Sequence, residues 1–205
     1  LVTKDATIRE IHHRVKNNLQ TVAALLRLQS RRMSNSDAKD ALKQAMGRVS
    51  AIAVVHEILS QNFEEQVAFD EVADRILHMV GDVAASSGSV VARREGSFGE
   101  VPAETATALS LATTELCQNA IEHSLDSSSG NVIVRPHRTD DALVVDIVSD
   151  GKPLPEGFSL DNHRSSLGLS IVTTLMQDLG GTFTLEDNSD RVGTCARLVI
   201  PLQRL

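Results

Sequence analysis

The first sixty residues carry an apolar pattern that only helices satisfy. Ile8, Ile11, Val15, Leu19, Val22 and Leu26 recur at intervals of three and four, and at about 100° per residue they gather into one stripe. Leu42, Met46, Val49, Ala53, His56 and Leu59 repeat that spacing, and Ser34-Asn35-Ser36-Asp37 lies between the two runs as a turn with a capping residue. The pattern predicts one helix over 3–33 and a second over 37–61, packed antiparallel as a hairpin. Leu25 and Leu28 fall off the first stripe, so the first helix is apolar on more than one side. A lone hairpin leaves part of that surface in water, and pairing with a second copy as a dimeric four-helix bundle removes it.

The same helical wheel separates two adjacent histidines. His13 falls about 150° from the centre of the stripe and His12 about 50°, which sends His13 to solvent among Arg14, Lys16, Asn17 and Asn18 and leaves His12 beside the packed face. An exposed imidazole among basic and amide side chains is open to modification. His56, on the apolar stripe of its own helix, reads as a buried, hydrogen-bonded residue.

From residue 66 the texture changes to mixed strands and helices. Strands are predicted at Val67–Phe69, Ser89–Arg94, Asn131–Arg135, Ala142–Val148, Thr182–Glu186 and Ala196–Ile200. Helices are predicted over 70–86, from Pro102 to about His123, and over 166–179, with a glycine- and proline-bearing loop at 151–165. That order implies an α+β sandwich with helices on one face of a largely antiparallel sheet. Two domains follow, 1–63 and 64–205.

Composition removes several classes of function. The formal net charge is −7, and the chain has no Trp, no Tyr and five Phe, so neither phosphate contacts nor base stacking supports direct nucleic-acid binding. No apolar run approaches the roughly 20 residues of a bilayer span, and no signal-peptide pattern is present. Cys117 and Cys195, far apart among small or apolar neighbours, read as reduced thiols of a cytoplasmic protein. A start at Leu1 rather than Met marks the chain as a piece of a longer one, whose missing part would carry the sensed signal.

Three later segments describe a nucleotide site. Glu115-Leu116-Cys117-Gln118-Asn119-Ala120-Ile121-Glu122-His123 puts Glu115, Asn119 and His123 or Glu122 on one helical face at four-residue spacing. Ser149-Asp150-Gly151-Lys152-Pro153 ends a strand, and Ser166-Leu167-Gly168-Leu169 opens a helix. A carboxylate and an amide on one helix can hold Mg²⁺ and its waters, and a glycine at a helix N-terminus lets backbone N–H groups approach phosphate.

Taken with the His13 helix, these segments resemble the sensor histidine kinases: a dimerisation and phosphoacceptor hairpin, here 1–63, followed by an ATP-binding domain of the GHKL superfamily, here 64–205. The resemblance covers nearly the whole chain. His13-Arg14-Val15-Lys16-Asn17 matches the H-R-x-K-N phosphoacceptor segment of the class sister to the HWE kinases, and the absence of tryptophan favours that sister class. The run from Ile11 to Arg32, with His56-Glu57 in the second helix, is similar to soluble actinobacterial kinases that signal to response regulators with RNA-binding antiterminator output.

The resemblance implies ATP and Mg²⁺ as cofactors, a homodimer, and phosphotransfer to a response-regulator receiver. It makes His13 the phosphoacceptor, Asn119 the Mg²⁺-binding asparagine, Glu115 the carboxylate that precedes it, and His123 the basic residue that follows. Asn17 becomes a residue able to position water for dephosphorylation of the partner. Ser166, Gly168 and Leu169 match the second glycine motif, and Thr194 after Gly193 a later motif that closes the adenine pocket. The first glycine motif, D-x-G-x-G, aligns strictly with Ser149, Gly151 and Pro153, so the adenine-contacting aspartate is either replaced by Ser149 or displaced to Asp150. Lys152 and Arg164 read equally as solvated charges or phosphate contacts.

Two other readings stand beside this one. A dimeric signalling scaffold with a degenerate nucleotide site is suggested by Ser149 and Pro153. A GHKL ATPase or serine kinase would have no need of the His13 hairpin.

Overall fold

The computed structural model describes residues 2–61, 66–85, 88–125, 129–161 and 166–202. The domain boundary expected after residue 63, and Arg164 of the loop, lie outside the described residues. The chain divides into two compact units, residues 1–67 with 100–111, and residues 68–99 with 112–205.

The first unit is built on α1 (Val2–Arg32) and α2 (Ser36–Gln61). Asn35 starts α2, its Oδ1 accepting from the backbone N–H groups of Asp37 at 2.9 Å and Ala38 at 3.3 Å, as a short amide side chain does for orphan first-turn donors. Ala51, Ala53, Val55, Ile58 and Leu59 give α2 its buried face. On α1 the seam runs through His12, Lys16, Leu19, Ala23, Leu26 and Ser30, with Ala23 and Ser30 buried.

That seam is turned by about 60° from the centre of the predicted stripe. The apolar arc of α1 is wider than one neighbour covers. Its far flank, Ile8, Ile11, Val22, Leu25 and Leu28, stays 43–57% exposed. The unit also holds a two-stranded sheet, β1 (Gln66–Ala68) against β3 (Glu100–Pro102), with Val67 and Val101 fully buried. Pro102 therefore ends a strand, and α4 (Ala103–Asn119) opens one residue later. The three-residue β3 was not predicted, being too short to show a period.

The second unit is a five-stranded sheet in the order β2-β4-β5-β7-β6, with α3 (Phe69–Ala85) and α5 (Leu167–Asp178). The strands are β2 (Val90–Arg94), β4 (Gly130–Arg138), β5 (Ala142–Ser149), β6 (Thr182–Asp187) and β7 (Thr194–Pro201). Only β2 and β4 are parallel, and the other three pairs are antiparallel. Alternate residues of β5 (Leu143, Val145, Ile147) and β7 (Ala196, Leu198, Ile200) are buried, the period of two expected of a sheet with one covered face.

The predicted helix ending near His123 is in fact two pieces. After Asn119 the backbone widens into a π turn, Ala120–Ser124, in which the Leu125 N–H reaches the Ala120 carbonyl at 3.0 Å. An i→i+5 turn inside a helix is a local expansion common at functional sites. Here it buries Ser124 and exposes Glu122 and His123.

Candidate active site

On α1, His13 is exposed and its Nδ1 lies 3.1 Å from the Asn17 side-chain amide, one turn on. Glu10 turns instead to Arg14, its Oε1 accepting from Arg14 Nε at 2.7 Å. That hydrogen bond and the guanidinium charge hold the exposed Glu10 carboxyl below its ordinary range. His12 faces the seam, with its Nδ1 3.0 Å from His56 Nδ1 and the rings tilted by 39°. Lys16 lies beside Glu57 at 3.8 Å. Burial lowers the His56 pKa and the neighbouring His12 lowers it further. The two adjacent histidines thus have separate surroundings, one solvated and one locked across the hairpin.

In the second unit the predicted residues fall into two groups. The first lies where α4 meets the start of α5. Glu115 is buried at 5% exposure, and a Cβ on Gly168 would stand 2.6 Å from its Oε2, so the glycine is what lets the first turn of α5 approach the carboxylate. Ser166 occupies the N-cap position of α5 without a side-chain cap bond, and Leu169 is buried. Asn119, four residues after Glu115, is half-buried at the mouth of the π turn, and His123 is exposed.

The second group is a chain of buried hydroxyls. Ser124 Oγ lies 2.7 Å from Ser149 Oγ, which lies 2.9 Å from Thr194 Oγ1, and the Thr194 N–H also points to Ser149 Oγ at 3.3 Å. Ser124 donates to the Lys152 carbonyl at 3.0 Å. A carbonyl only accepts, so the chain has one direction, from Thr194 through Ser149 and Ser124 to Lys152. Backbone crowding explains the glycines around it. A Cβ on Gly151 would strike the Ser124 carbonyl, and Gly193, at φ 125°, would press one into the Ser149 carbonyl. Beside this chain is a cavity of about 340 Å³ whose walls include Ser124, Leu125, Gly151, Pro153 and Val192.

Asp150 does not join that group. Its carboxylate accepts from the Asn131 backbone N–H and from Asn131 Nδ2, both at 2.7 Å. Partial burial pushes this carboxyl up, and the Asn131 hydrogen bonds outweigh it and hold it below the usual range. Sequence reasoning missed Ser124 and Asn131. Neither carries a local signal, since each acquires its role from a strand end 25 or 19 residues away.

A histidine kinase family model matches residues 10–84, and a model of the histidine kinase-, DNA gyrase B- and HSP90-like ATPases matches residues 104–204. Along its full length the chain is 50% identical to the sensor histidine kinase PdtaS of Mycobacterium tuberculosis and 48% identical to that of Mycolicibacterium smegmatis, spanning 41% of the length of each. The chain belongs to the histidine kinases. The solved histidine kinase domain of the blue-light-activated EL346 kinase of Erythrobacter litoralis superposes with a TM-score of 0.66 at 26% identity, covering 97% of this chain and 92% of that one. Kinases of this family typically dimerise and signal to response regulators, and the ATPase domain implies ATP as the ligand. Among the described residues no helix of this histidine kinase core is long and apolar enough to cross a membrane.

Proposed function

We propose that the chain uses ATP to phosphorylate its own His13 and passes the phosphoryl group to an aspartate of a response-regulator receiver. The observation that carries this is the exposed imidazole of His13, free of the hairpin seam that engages His12. A solvent-facing imidazole with a ring nitrogen lone pair is a competent nucleophile. Transfer is in line: a ring nitrogen of His13 forms the bond to the γ-phosphorus as the bond to the β–γ bridging oxygen breaks and ADP leaves.

The residues of the second unit suit the nucleotide. Asn119 and the buried Glu115, four residues apart on one helix, fit the ligand set of a Mg²⁺ ion that takes its remaining oxygens from phosphates and water, and that ion would neutralise charge on the transferring group. The uncapped first turn of α5, with Gly168 at its start, offers backbone N–H groups to phosphate. His123, exposed on the π turn, is a further candidate for the nucleotide. For adenine we favour Ser149 with Thr194 over Asp150, because Asn131 engages the Asp150 carboxylate.

The exposed flank of α1 supports a homodimer. A receiver with RNA-binding antiterminator output, in the cytoplasm, is the partner that the sequence resemblance favours. A degenerate-site scaffold draws on one observation, the uncharged Ser149 at the end of β5. Incubation with γ-labelled ATP tests both. Acid-labile, alkali-stable label that moves to a receiver aspartate is the expected result, acid-stable label assigns a hydroxyl acceptor, and no label leaves the scaffold.

A further inference from the structure

The ring of His13 has a defined neighbour at one nitrogen. Asn17 brings its side-chain Nδ2 to 3.1 Å from Nδ1. Several neighbouring groups are engaged elsewhere: Glu10 with Arg14, His12 with His56, Lys16 with Glu57. The residue directly after His13 is Arg14, a cation that cannot accept a proton. A neutral amide therefore stands where it can set which imidazole nitrogen carries the hydrogen.

A neutral imidazole has one N–H and one lone pair, and only the lone pair accepts a phosphoryl group. A primary amide offers a donor end and an acceptor end, exchanged by a half-turn of the side chain. With the amino end toward Nδ1, the arrangement of this structure, that nitrogen's lone pair is occupied and Nε2 bears the hydrogen, so neither nitrogen is free to attack. With the carbonyl end toward Nδ1, the Nδ1–H is held and the Nε2 lone pair is free.

From the 3.1 Å approach of Asn17 Nδ2 to His13 Nδ1, which a half-turn of the amide converts into a carbonyl contact, we infer that Asn17 is a positioning residue for phosphoryl transfer, its carbonyl in that turned state fixing the tautomer that presents Nε2. The inference rests on the reading of His13 as the phosphoacceptor. In the step, the Nε2 lone pair forms the N–P bond, and the electrons of the broken P–O bond leave with ADP. The hydrogen on Nδ1 then passes from the phosphoimidazolium to water past the Asn17 carbonyl. A neutral carbonyl orients that proton without retaining it, whereas a carboxylate in its place would stabilise the protonated ring.

The test measures autophosphorylation of the chain at saturating ATP across about pH 6 to 9, for wild type, Asn17→Ala and Asn17→Asp. ATP affinity is measured alongside, and the phosphohistidine isomer is assigned by NMR. Asn17→Ala is expected to lower kcat by about 10- to 100-fold, the scale of a misoriented reacting group, with KM for ATP unchanged. Asn17→Asp should restore most of the rate, with the acid limb of its profile moved about one unit to higher pH, and the phosphate should sit on Nε2. A wild-type rate and profile for Asn17→Ala, with loss only of receiver dephosphorylation, overturns the inference. So does an Asn17→Asp rate as low as that of Asn17→Ala throughout, or phosphate on Nδ1. If His13→Gln still labels, the phosphoacceptor reading itself has failed and this inference falls with it.

Discussion

The hairpin and the sheet-bearing unit assemble their chemistry over different distances. On α1, His13 meets a residue four positions away. In the second unit, Ser149 meets Ser124 and Thr194 across 25 and 45 residues. They also differ in how completely they bury themselves. The sheet encloses Val132, Val134, Leu143, Val145 and Leu198 at no measurable exposure, while α1 leaves five large apolar side chains of its far flank 43–57% exposed. A helix can present a reactive side chain without tertiary help, but needs a neighbour to be stable. A sheet unit is self-sufficient in its core, and its site exists only once the strands have met.

The largest expected effect tests the local half of that contrast. If a single solvated imidazole is the acceptor, His13→Gln abolishes autophosphorylation and leaves the oligomeric state unchanged. His12→Gln, which removes the partner of His56, should cost stability while some label persists. Labelling by gel and sedimentation on the same samples decide this, and label that survives His13→Gln but not His12→Gln reverses the assignment.

Next is the incompleteness of the hairpin. Burying a leucine contributes about 1.5–3 kcal/mol, so Leu25→Asp with Leu28→Asp should turn a dimer into a monomer at micromolar concentration by sedimentation. Calorimetry should show ATP binding retained, because the nucleotide residues belong to the other unit. Loss of nucleotide binding in that monomer breaks the division of labour argued above.

This division also explains what the sequence disclosed. The helices of the hairpin, the order of strands and helices after residue 66 apart from the short β3, and the outward turn of His13 were legible because each rests on a period or a neighbour within about two helical turns. The seam of α1 was misplaced by about 60° because periodicity reports all apolar surface and does not say which neighbour covers which flank. The π turn left no trace, since Ala120 to Ser124 continue an ordinary helical composition. The choice between Ser149 and Asp150 stayed open in the sequence because it turns on Asn131, whose backbone and side chain reach Asp150 only when β4 and β5 pair in register.

A smaller effect sharpens the distant half of the contrast. Removing a hydrogen bond at a nucleotide base costs about 0.5–1.5 kcal/mol, roughly 2- to 10-fold in affinity. Ser149→Ala should weaken ATP binding by that amount, and it also interrupts the chain from Thr194 to Lys152. Asp150→Asn should leave affinity near wild type and lower thermal stability, since it weakens the clasp on Asn131. Asn119→Ala serves as the reference for loss at the phosphate end. Calorimetry giving the opposite order for Ser149 and Asp150 would return adenine recognition to the carboxylate.

The smallest effect concerns the polar contact inside the hairpin. His56 is partly buried against α1, facing His12 from that helix, with Lys16 and Glu57 beside the pair. Burial first, and His12 second, lower its pKa below the ordinary value of 6.5. A base with a depressed folded-state pKa binds protons more readily when unfolded, so the unfolded chain gains protons first as pH falls through about 6.5. Stability from this site is therefore complete above that pH and declines below it, until the folded pKa is reached. The hairpin should melt a few degrees lower at about pH 5.5 than at about pH 7.5, and His56→Gln should flatten that slope because glutamine does not titrate in this range. Carboxylates elsewhere that lose protein partners on protonation add their own acid dependence, Asp150 on Asn131 among them, as pH falls from the usual carboxylate range downward. The difference between wild type and His56→Gln over the window from about pH 7.5 to 5.5 isolates the histidine. A slope unchanged by the substitution would mean that the 3.0 Å contact between the two rings does not exclude the second proton, and that the hairpin tolerates charge at its centre.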